Sequence, residues 1–311
     1  MPHPIPRCQV LPLPNDEASF QIDQQERLRW HFGSQYPRPF FYPLNGPRGS
    51  SLTRMGHPGD VGHDHHRSIW FAHHKVNGLD FWREGTPQKI RQKGWLVYHD
   101  GQTEAGMAVQ LGWYNEQQAE IMEHLLIAVV RPGPQAGETV LELQSTFTPK
   151  AETLTLDQTN FGFLAVRVAK NISGYFGGGT ITNSAGLQGE KAVFGQQAAW
   201  MDYSGAVPGN GVEGITYFDH PQNPGHPSHW HVREDGWMGS AFCLASSFTI
   251  RRDQPLQLRY LLHAHSQPVA AATAQHLATT FSKLPAYEVV RAEVPHTRHQ
   301  LRRVGATEPA P

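Results

Sequence analysis

Short runs in which apolar and polar residues alternate recur along this chain of 311 residues and predict many β-strands. The clearest run is Thr139 to Phe147, in which Leu141, Leu143 and Ser145 share one face with Phe147. This alternation predicts a half-buried antiparallel strand. Further strands are predicted within the segments 19–32, 38–44, 94–99, 107–114, 121–130, 153–156, 163–169, 212–218, 239–250 and 256–265.

One segment, Val269 to Leu284, is predicted to be a helix. Ala270, Ala274, Leu277 and Phe281 form an apolar stripe there at helical spacing. Strands far outnumber helices and no strand–helix alternation recurs, which argues against a parallel α/β sheet. The pattern therefore predicts an all-β protein, a large antiparallel β-sandwich with one C-terminal helix.

The same pattern divides the chain into three parts. Residues 1–18 are predicted to be a proline-rich N-terminal segment, residues 19–294 a single β-sandwich domain, and residues 295–311 a C-terminal tail. The first residues are broken by prolines and lack an apolar leader, and no window of about 18 consecutive apolar residues follows. We therefore expect a cytoplasmic protein.

The charge balance argues against two classes of partner. The chain has 26 basic and 27 acidic side chains, a formal net charge of −1, which provides no field for gathering nucleic acid or an anionic membrane. The two cysteines, Cys8 and Cys243, form neither a disulfide framework nor a zinc-binding spacing. We expect a small molecule as the partner, and neither nucleic acid nor a membrane.

The stretch from Arg54 to Arg83 carries most of the candidate chemistry. It contains six histidines, and its densest part, His63 to Arg67, runs directly into the apolar segment Ile69 to Ala72. Glycine and proline just upstream argue against a helix. A loop that enters a strand is therefore predicted here.

An extended backbone would place His63, His65 and Arg67 on one face of this segment, with Asp64 and His66 on the other. Three interpretations remain open. His63, His65 and Asp64 suit a divalent metal ion, because neutral imidazole and carboxylate are common ligands. The histidines equally suit metal-free acid–base catalysis, since imidazole titrates near neutral pH. They can also simply hydrogen-bond to one another and to nearby backbone.

A second histidine-rich segment runs from Phe218 to Arg233. Its prolines fix the backbone and hold the neighbouring side chains in place. If the segment is extended, His229 and His231 share one face with Arg233, while Trp230 and Val232 take the other. This segment is a second candidate for the site, and a solvated surface loop is the alternative.

A third group lies on the predicted strand 256–265, where Arg259, His263 and His265 oppose an apolar face. Such polar groups either line a wet cavity or lie on a solvated sheet face. Asp157, Asn160 and Arg167 belong to a weaker fourth group, for which a structural role is favoured.

Several of these motifs resemble a bacterial family labelled PmoA, or "methane oxygenase". The resemblance covers about residues 20–265 and rests on the segments 38–44, 63–73, 76–82, 219–224 and 230–233. It implies a β-sandwich similar to the galactose mutarotase-like supersandwich. It also implies genomic proximity to sugar oxidoreductases and sugar isomerases. His74 is one departure from the family pattern.

These observations favour a carbohydrate-active enzyme, a mutarotase or epimerase, or a lyase or hydrolase, acting on a sugar, an oxidised sugar or a glycoside. The predicted catalytic residues are His65, His66, His231 and His263. The predicted substrate-binding residues are Arg67, Trp70, His73, Asn77, Asp80, Trp82, His220, Asn223, Trp230, Arg233 and Arg259. Aromatic faces can stack on a pyranose while polar groups bind its hydroxyls.

Two alternatives stay open. One is a metal-dependent oxygenase or hydrolase, with a divalent metal ion held by His63, His65 and Asp64 as its cofactor. The other is a non-catalytic sugar-binding protein.

Overall fold

The computed structural model describes residues 5–209 and 211–305 of the chain. These residues form twenty strands, in chain order β1 Cys8–Leu13, β2 Glu17–Ile22, β3 Gln25–His31, β4 Phe40–Leu44, β5 Ile69–His73, β6 Lys89–His99, β7 Ala105–Tyr114, β8 Glu120–Pro132, β9 Thr139–Pro149, β10 Thr153–Leu156, β11 Gly162–Arg167, β12 Thr180–Asn183, β13 Trp200–Val207, β14 Gly211–Asp219, β15 Trp230–Arg233, β16 Trp237–Ser240, β17 Phe248–Arg251, β18 Leu256–Ser266, β19 Tyr287–Arg291 and β20 His299–Arg303. The helical elements are α1 Gly174–Gly177, α2 Glu190–Val193, α3 Ala271–Lys283 and the 3₁₀ turns Val61–His63 and Lys170–Ile172.

The strands form two large antiparallel sheets. The first sheet has eight strands in the order β1-β2-β3-β4-β5-β11-β16-β15, and the second has eight in the order β12-β13-β14-β18-β9-β8-β7-β6. Two small antiparallel pairs, β10–β17 and β19–β20, complete the structure. The prediction of an all-β antiparallel sandwich with one C-terminal helix is confirmed, because α3 is the one long helix of the described residues.

The main core lies between the two sheets. On β5 of the first sheet, Ile69 and Phe71 point into this core, whereas Trp70 and Ala72 point to the opposite face. Phe71 meets Phe147 of the second sheet with 6.2 Å between the ring centroids. Burying an aromatic or large aliphatic side chain contributes about 1.5–3 kcal/mol. The alternation along each strand therefore holds the sheets together and leaves every second residue for the outer faces.

The outer face of the second sheet is covered rather than solvated. Helix α3 packs Ala274 and Phe281 against Val140 of β9, and the β19–β20 hairpin places Tyr287 over the neighbouring strands. Glu142, on the outer face of β9, is only 1% exposed as a result. The prediction that 139–147 is half-buried is wrong, because the sequence pattern does not reveal that a distant helix covers the polar face.

The outer face of the first sheet carries a separate aromatic layer. Trp70, Trp82 and Trp237 contact one another with ring centroids 5.2–5.6 Å apart, and Phe161 lies 5.6 Å from Trp82. We call these four residues the aromatic floor. The loop that precedes β5 folds over the floor, and this is where the candidate site forms.

The strands reach beyond the predicted domain limits at both ends. Strand β1 lies within residues 1–18 and pairs with β2 in the first sheet, and β20 lies within 295–311. The single strand predicted at 239–250 is wrong, because β16 ends at Ser240 and β17 starts at Phe248 in a different sheet. Among the described residues, no helix has the length and apolar character needed to cross a bilayer.

Candidate functional site

A cavity of about 580 Å³ opens above the aromatic floor on the outer face of the first sheet. Its wall is formed by Gly62, His63, His65, His66, His74, Trp82, Arg83, Glu84, Phe161, Arg167, His231, Arg233, Asp235 and Trp237. Both of the first two histidine-rich segments therefore contribute to one pocket, although they are about 165 residues apart in the chain.

The loop before β5 brings three histidines to the same pocket. After the 3₁₀ turn Val61–His63, the amide of His66 donates to the carbonyl of His63 at 3.0 Å, and the chain turns instead of extending. The ring centroids of His63 and His65 lie 5.8 Å apart, and those of His65 and His66 lie 4.3 Å apart. The predicted loop entering a strand is confirmed. The predicted alternation of faces within the loop is wrong, because residues in a turn do not point alternately to two faces as they do in a strand.

Asp235 anchors this loop to the turn between β15 and β16. The amide of Gly59 donates to Nδ1 of His57, so Nε2 of His57 carries the proton that it donates to Asp235 at 3.1 Å. The other carboxylate oxygen of Asp235 accepts from Nη1 of Arg167 at 2.7 Å. Gly236 allows this turn, because its φ of 103° favours glycine and a Cβ there would lie 3.1 Å from Cβ of Ser173.

Strand β15 presents His231 to the pocket as the sequence pattern predicted. His231 and Arg233 line the pocket, whereas Trp230 and Val232 are buried in the main core. Nδ1 of His231 lies 3.0 Å from the carbonyl oxygen of Asn160, which can only accept, so the proton sits on Nδ1. Nε2 therefore carries a lone pair. Burial lowers the pKa of His231 to about 4 and keeps the ring neutral at neutral pH.

His65 and His66 are also neutral at neutral pH. Burial, with a contribution from the charge of Arg38, lowers the pKa of His65 to about 4. Burial lowers the pKa of His66 much further, since its ring stacks on Trp237 at 5.1 Å between centroids and is 7% exposed. His65 and His231 can therefore accept a proton at moderate cost, whereas His66 is better suited to hydrogen bonding as a neutral group.

Several buried polar atoms in the pocket wall have no hydrogen-bond partner among the described residues. They are Nε and Nη2 of Arg167, Nδ1 of His66, Nε1 of Trp82 and Nε1 of Trp237. Nearly all buried polar groups in folded proteins are paired, so a group of unpaired ones around a single cavity needs an explanation. A ligand that carries several oxygen acceptors would satisfy most of them.

Other predicted residues of the first segment support the pocket. Arg67 pairs with Glu84 at 2.9 Å. Asp80 accepts from the amide of Trp82 at 2.7 Å and fixes the loop that carries that indole. Trp70 lies beneath the pocket, as part of the aromatic floor.

His73 and Asn77 lie away from the pocket. His73 is fully buried and donates through Nε2 to the carbonyl of Asp157 at 3.0 Å. Asn77 has a positive φ of 48° and accepts from the amide of Thr155 at 2.7 Å. Neither side chain lines the pocket, so their prediction as substrate-binding residues of this site is wrong, and both hold the turn next to β5 in place.

His220, Asn223 and Arg259 form a separate polar cluster next to α3. Nη1 of Arg259 lies 3.1 Å from Nε2 of His220, and its Nη2 donates to Glu142 at 3.0 Å. Asn223 donates to Asp219 at 2.7 Å. These residues stabilise the covered face of the second sheet and are not part of the pocket. The sequence placed them in one site because their polar character resembles that of the pocket residues.

Trp230 is buried between the sheets, where its Nε1 donates to the carbonyl of Ala198 at 2.7 Å. It therefore belongs to the core and not to a substrate platform. The prediction that Trp230 binds substrate is therefore wrong. Trp230 and His231 are neighbours on β15 and point to opposite faces, so only His231 faces the pocket.

His263 lies in a second, smaller cavity of about 300 Å³ on the second sheet. Its Nε2 lies 3.0 Å from Glu138, and the adjacent His265 pairs with Asp202 at 2.8 Å. The structure therefore separates His263 from His65, His66 and His231. His263 cannot act in the same reaction site as these three residues.

The predicted metal ligands do not converge. Asp64 is exposed and points away toward Gly56, and it is not part of the pocket wall. Nδ1 of His63 lies 2.6 Å from Asp60 at the rim. Within residues 5–209 and 211–305, no group of three or more His, Cys, Asp or Glu side chains is arranged to hold a metal ion. The set His63, His65 and Asp64 is thus not assembled.

Sequence reasoning missed four important parts of the pocket wall: Phe161, Arg167, Asp235 and Trp237. Arg167 was assigned a structural role with Asp157 and Asn160, because Asx side chains favour turns. An arginine within a fully buried strand is itself a signal, since an isolated buried charge is costly and calls for a partner. Asp235 and Trp237 lie next to a turn, and the sequence pattern does not predict which way side chains point in a turn.

Residues 17–279 match a family described as "Family of unknown function (DUF6807)", and the chain belongs to that family. The match does not carry the methane-oxygenase label that the sequence motifs suggested. No curated protein matches the chain. A solved structure titled "Crystal Structure Analysis of HI1317" is 10% identical, covering 84% of this chain and 97% of that chain with a TM-score of 0.29. At this TM-score the likeness supports no conclusion about fold or function.

Proposed function

We propose that the pocket binds a sugar and catalyses proton transfer on it, as a mutarotase, epimerase or lyase does. The observation that carries this proposal is the state of His231. Its proton is committed to Nδ1 by the carbonyl of Asn160, and its Nε2 lone pair belongs to a ring that lines the pocket. A neutral imidazole with a fixed tautomer is suited to act as a general base.

The composition of the wall favours a sugar as the substrate. The indole rings of Trp82 and Trp237 and the ring of Phe161 offer apolar surface for the C–H face of a pyranose. Both indoles and Arg167 belong to this wall, and their N–H groups include several that have no acceptor among the described residues. A cavity of about 580 Å³ is in the range of small-molecule sites. The sequence resemblance to a family that implies sugar chemistry supports the same substrate class.

The proposed reaction step balances with water as the only further reactant. Nε2 of His231 takes a proton from a carbon next to a carbonyl group, and the C–H electron pair forms an enolate. A nearby N–H donor stabilises the negative oxygen of the enolate. In an epimerisation, water protonates the opposite face of the enolate and His231 gives its proton to solvent. In an elimination, a β-substituent leaves with an electron pair. For a mutarotase, the same base takes the proton of the anomeric hydroxyl, the bond between the anomeric carbon and the ring oxygen breaks, and the ring oxygen takes a proton from water.

The test is proton NMR of a panel of aldoses, keto-sugars and uronic acids incubated with the protein in D₂O. This measurement reports exchange of C–H protons, loss of a substituent and interconversion of anomers together. We expect at least one sugar to react, and we expect His231→Ala and His231→Asn to abolish the reaction. Asn keeps an N–H donor but has no titratable nitrogen.

His263→Ala is the matched control, because His263 is equally buried but lies in the other cavity. Its reaction rate should equal that of the wild type. The proposal is wrong if the reaction persists in both His231 variants. It is also wrong if sugars raise the melting temperature and no member of the panel reacts, which would indicate a binding protein.

A further inference from the structure

We infer that the sugar bound in this pocket is acidic, and that its carboxylate is held by Arg167. This inference rests on the proposed function and names its substrate class. It starts from Arg167 on β11, a fully buried arginine that belongs to the pocket wall.

The hydrogen bonds of Arg167 leave one edge of its guanidinium without a partner. Nη1 donates to Asp235 at 2.7 Å, whereas Nε and Nη2 have no acceptor among the described residues. Nε and Nη2 lie on the same edge of the planar group, and their N–H bonds run parallel. A carboxylate matches such an edge with two parallel hydrogen bonds.

The charges around the pocket also favour an anion. The guanidinium and carboxylate groups of the wall pair one to one with direct partners: Arg67 with Glu84, Arg83 with Asp80, Arg233 with Glu190, and Arg167 with Asp235. Asp60, which pairs with His63, is 49% exposed at the rim and is screened by solvent.

Arg54 adds a positive charge beside Arg167. Its Nε and Nη2 donate to the backbone carbonyls of Val168 and Asp235 at 3.0 and 2.6 Å, and it forms no ion pair with a carboxylate of the described residues. Burial and the neighbouring Arg167 lower the pKa of Arg54 to about 10, which leaves it charged at neutral pH. Arg38, whose charge acts on His65, also donates only to backbone carbonyls and forms no ion pair among the described residues. The surplus around the pocket is therefore positive and favours an anionic ligand.

An acidic substrate would also assist the proposed base. The low pKa of His231 arises first from burial, which disfavours the charged ring. A negative charge bound in the same pocket favours the imidazolium and raises this pKa toward the pH of the reaction. Substrate binding would therefore strengthen His231 as a base only when the substrate carries the anionic group.

The test compares four probes by isothermal titration: a hexuronic acid, the matching neutral hexose, the matching hexose 6-phosphate, and acetate. Several stereoisomers of each sugar are used. We expect the wild type to bind a hexuronic acid at least tenfold more tightly than its hexose, because a buried charged donor is costly to leave unpaired. Arg167→Gln should remove this preference.

Arg259→Gln is the matched control, since Arg259 is similarly buried but lies in the polar cluster next to α3. It should keep the preference of the wild type. Circular dichroism and urea unfolding report whether each variant is folded. Arg167→Lys is a second variant, which keeps the positive charge but cannot form two parallel hydrogen bonds to a carboxylate. We expect Arg167→Lys to retain part of the preference.

Three results would overturn the inference: equal affinity of the wild type for acid and hexose, a preference that survives in Arg167→Gln, or tighter binding of the phosphate than of the hexuronic acid. If acetate bound with the same affinity as the hexuronic acid, the inference that the ligand is a sugar would be wrong. Arg167-dependent binding of a hexuronic acid that shows no His231-dependent reaction in D₂O would support this inference and refute proton transfer. The two proposals therefore fail separately.

Discussion

Glu142 is buried among three arginines, and its replacement by glutamine tests how the covered face of the second sheet is stabilised. The Glu142 carboxylate accepts from Arg259 at 3.0 Å, from Arg303 of β20 at 2.7 Å and from Arg131 at 3.0 Å. Glutamine keeps the volume and one acceptor but removes the negative charge. Glu142→Gln thus leaves three guanidiniums without their shared counter-charge.

The magnitude follows from the pKa. Burial opposes ionisation of Glu142, but the hydrogen bond from Arg303 and the charges of Arg131 and Arg303 outweigh it and lower the pKa from 4.5 to about 2. About 2.5 pKa units correspond to about 3 kcal/mol of free energy of unfolding, and breaking a buried ion pair costs a similar ~3–5 kcal/mol. Because the folded-state pKa is lowered, this stability is present above the unfolded pKa and is lost as the pH falls toward 2.

The assay is urea unfolding of the wild type and Glu142→Gln at pH 7 and pH 3. We expect the variant to lose about 3 kcal/mol at pH 7 and only about 1 kcal/mol at pH 3, because at pH 3 the unfolded wild type has already taken up the proton. Glu288→Gln is the control, because Glu288 pairs with Arg302 at the surface, and it should lose less than about 1 kcal/mol. An equal loss at both pH values, or a loss below about 1 kcal/mol at pH 7, would show that the charge of Glu142 does not stabilise the fold.

Three further predictions concern the pocket and the helix that covers the other sheet. Asp235→Asn should weaken the link to His57 and raise KM more than it lowers kcat, which steady-state kinetics on a reacting sugar would show, and an unchanged KM would contradict it. With His231 as the base, kcat/KM should be constant from about pH 7 to 5 and halve near the pKa of about 4, and a midpoint above about 6 would contradict this role. Phe281→Ala should lose about 3–5 kcal/mol in urea unfolding, because it empties a buried site under α3, but leave the sugar reaction unchanged.

The sequence correctly predicted those strands and helices in which a single hydrophobic periodicity extends over the whole element. On β18 the residues Leu258 and Leu262 face the main core while Arg259 and His263 face outward, as the alternation predicts. Helix α3 begins and ends within two residues of its predicted limits. These successes reflect local rules, since a period of two or 3.6 is set by the backbone alone.

The candidate site could be predicted only in part. His231 and Arg233 face the pocket because they follow the alternation of a regular strand. His63, His65 and His66 share the pocket because a turn brings them together, and no periodicity describes that turn. The sequence also could not show that the polar face of β18 is covered by a helix that follows it, so a buried structural cluster was taken for part of the site.

The aromatic floor and the main core use opposite faces of the same strands, with Trp70 on one side of β5 and Phe71 on the other. A substitution on the pocket face can therefore change what is recognised while the packing between the sheets is kept. Related chains can diverge in specificity on this surface without redesigning their interior. The pocket is accordingly the place where members of the family are expected to differ in the molecules that they accept.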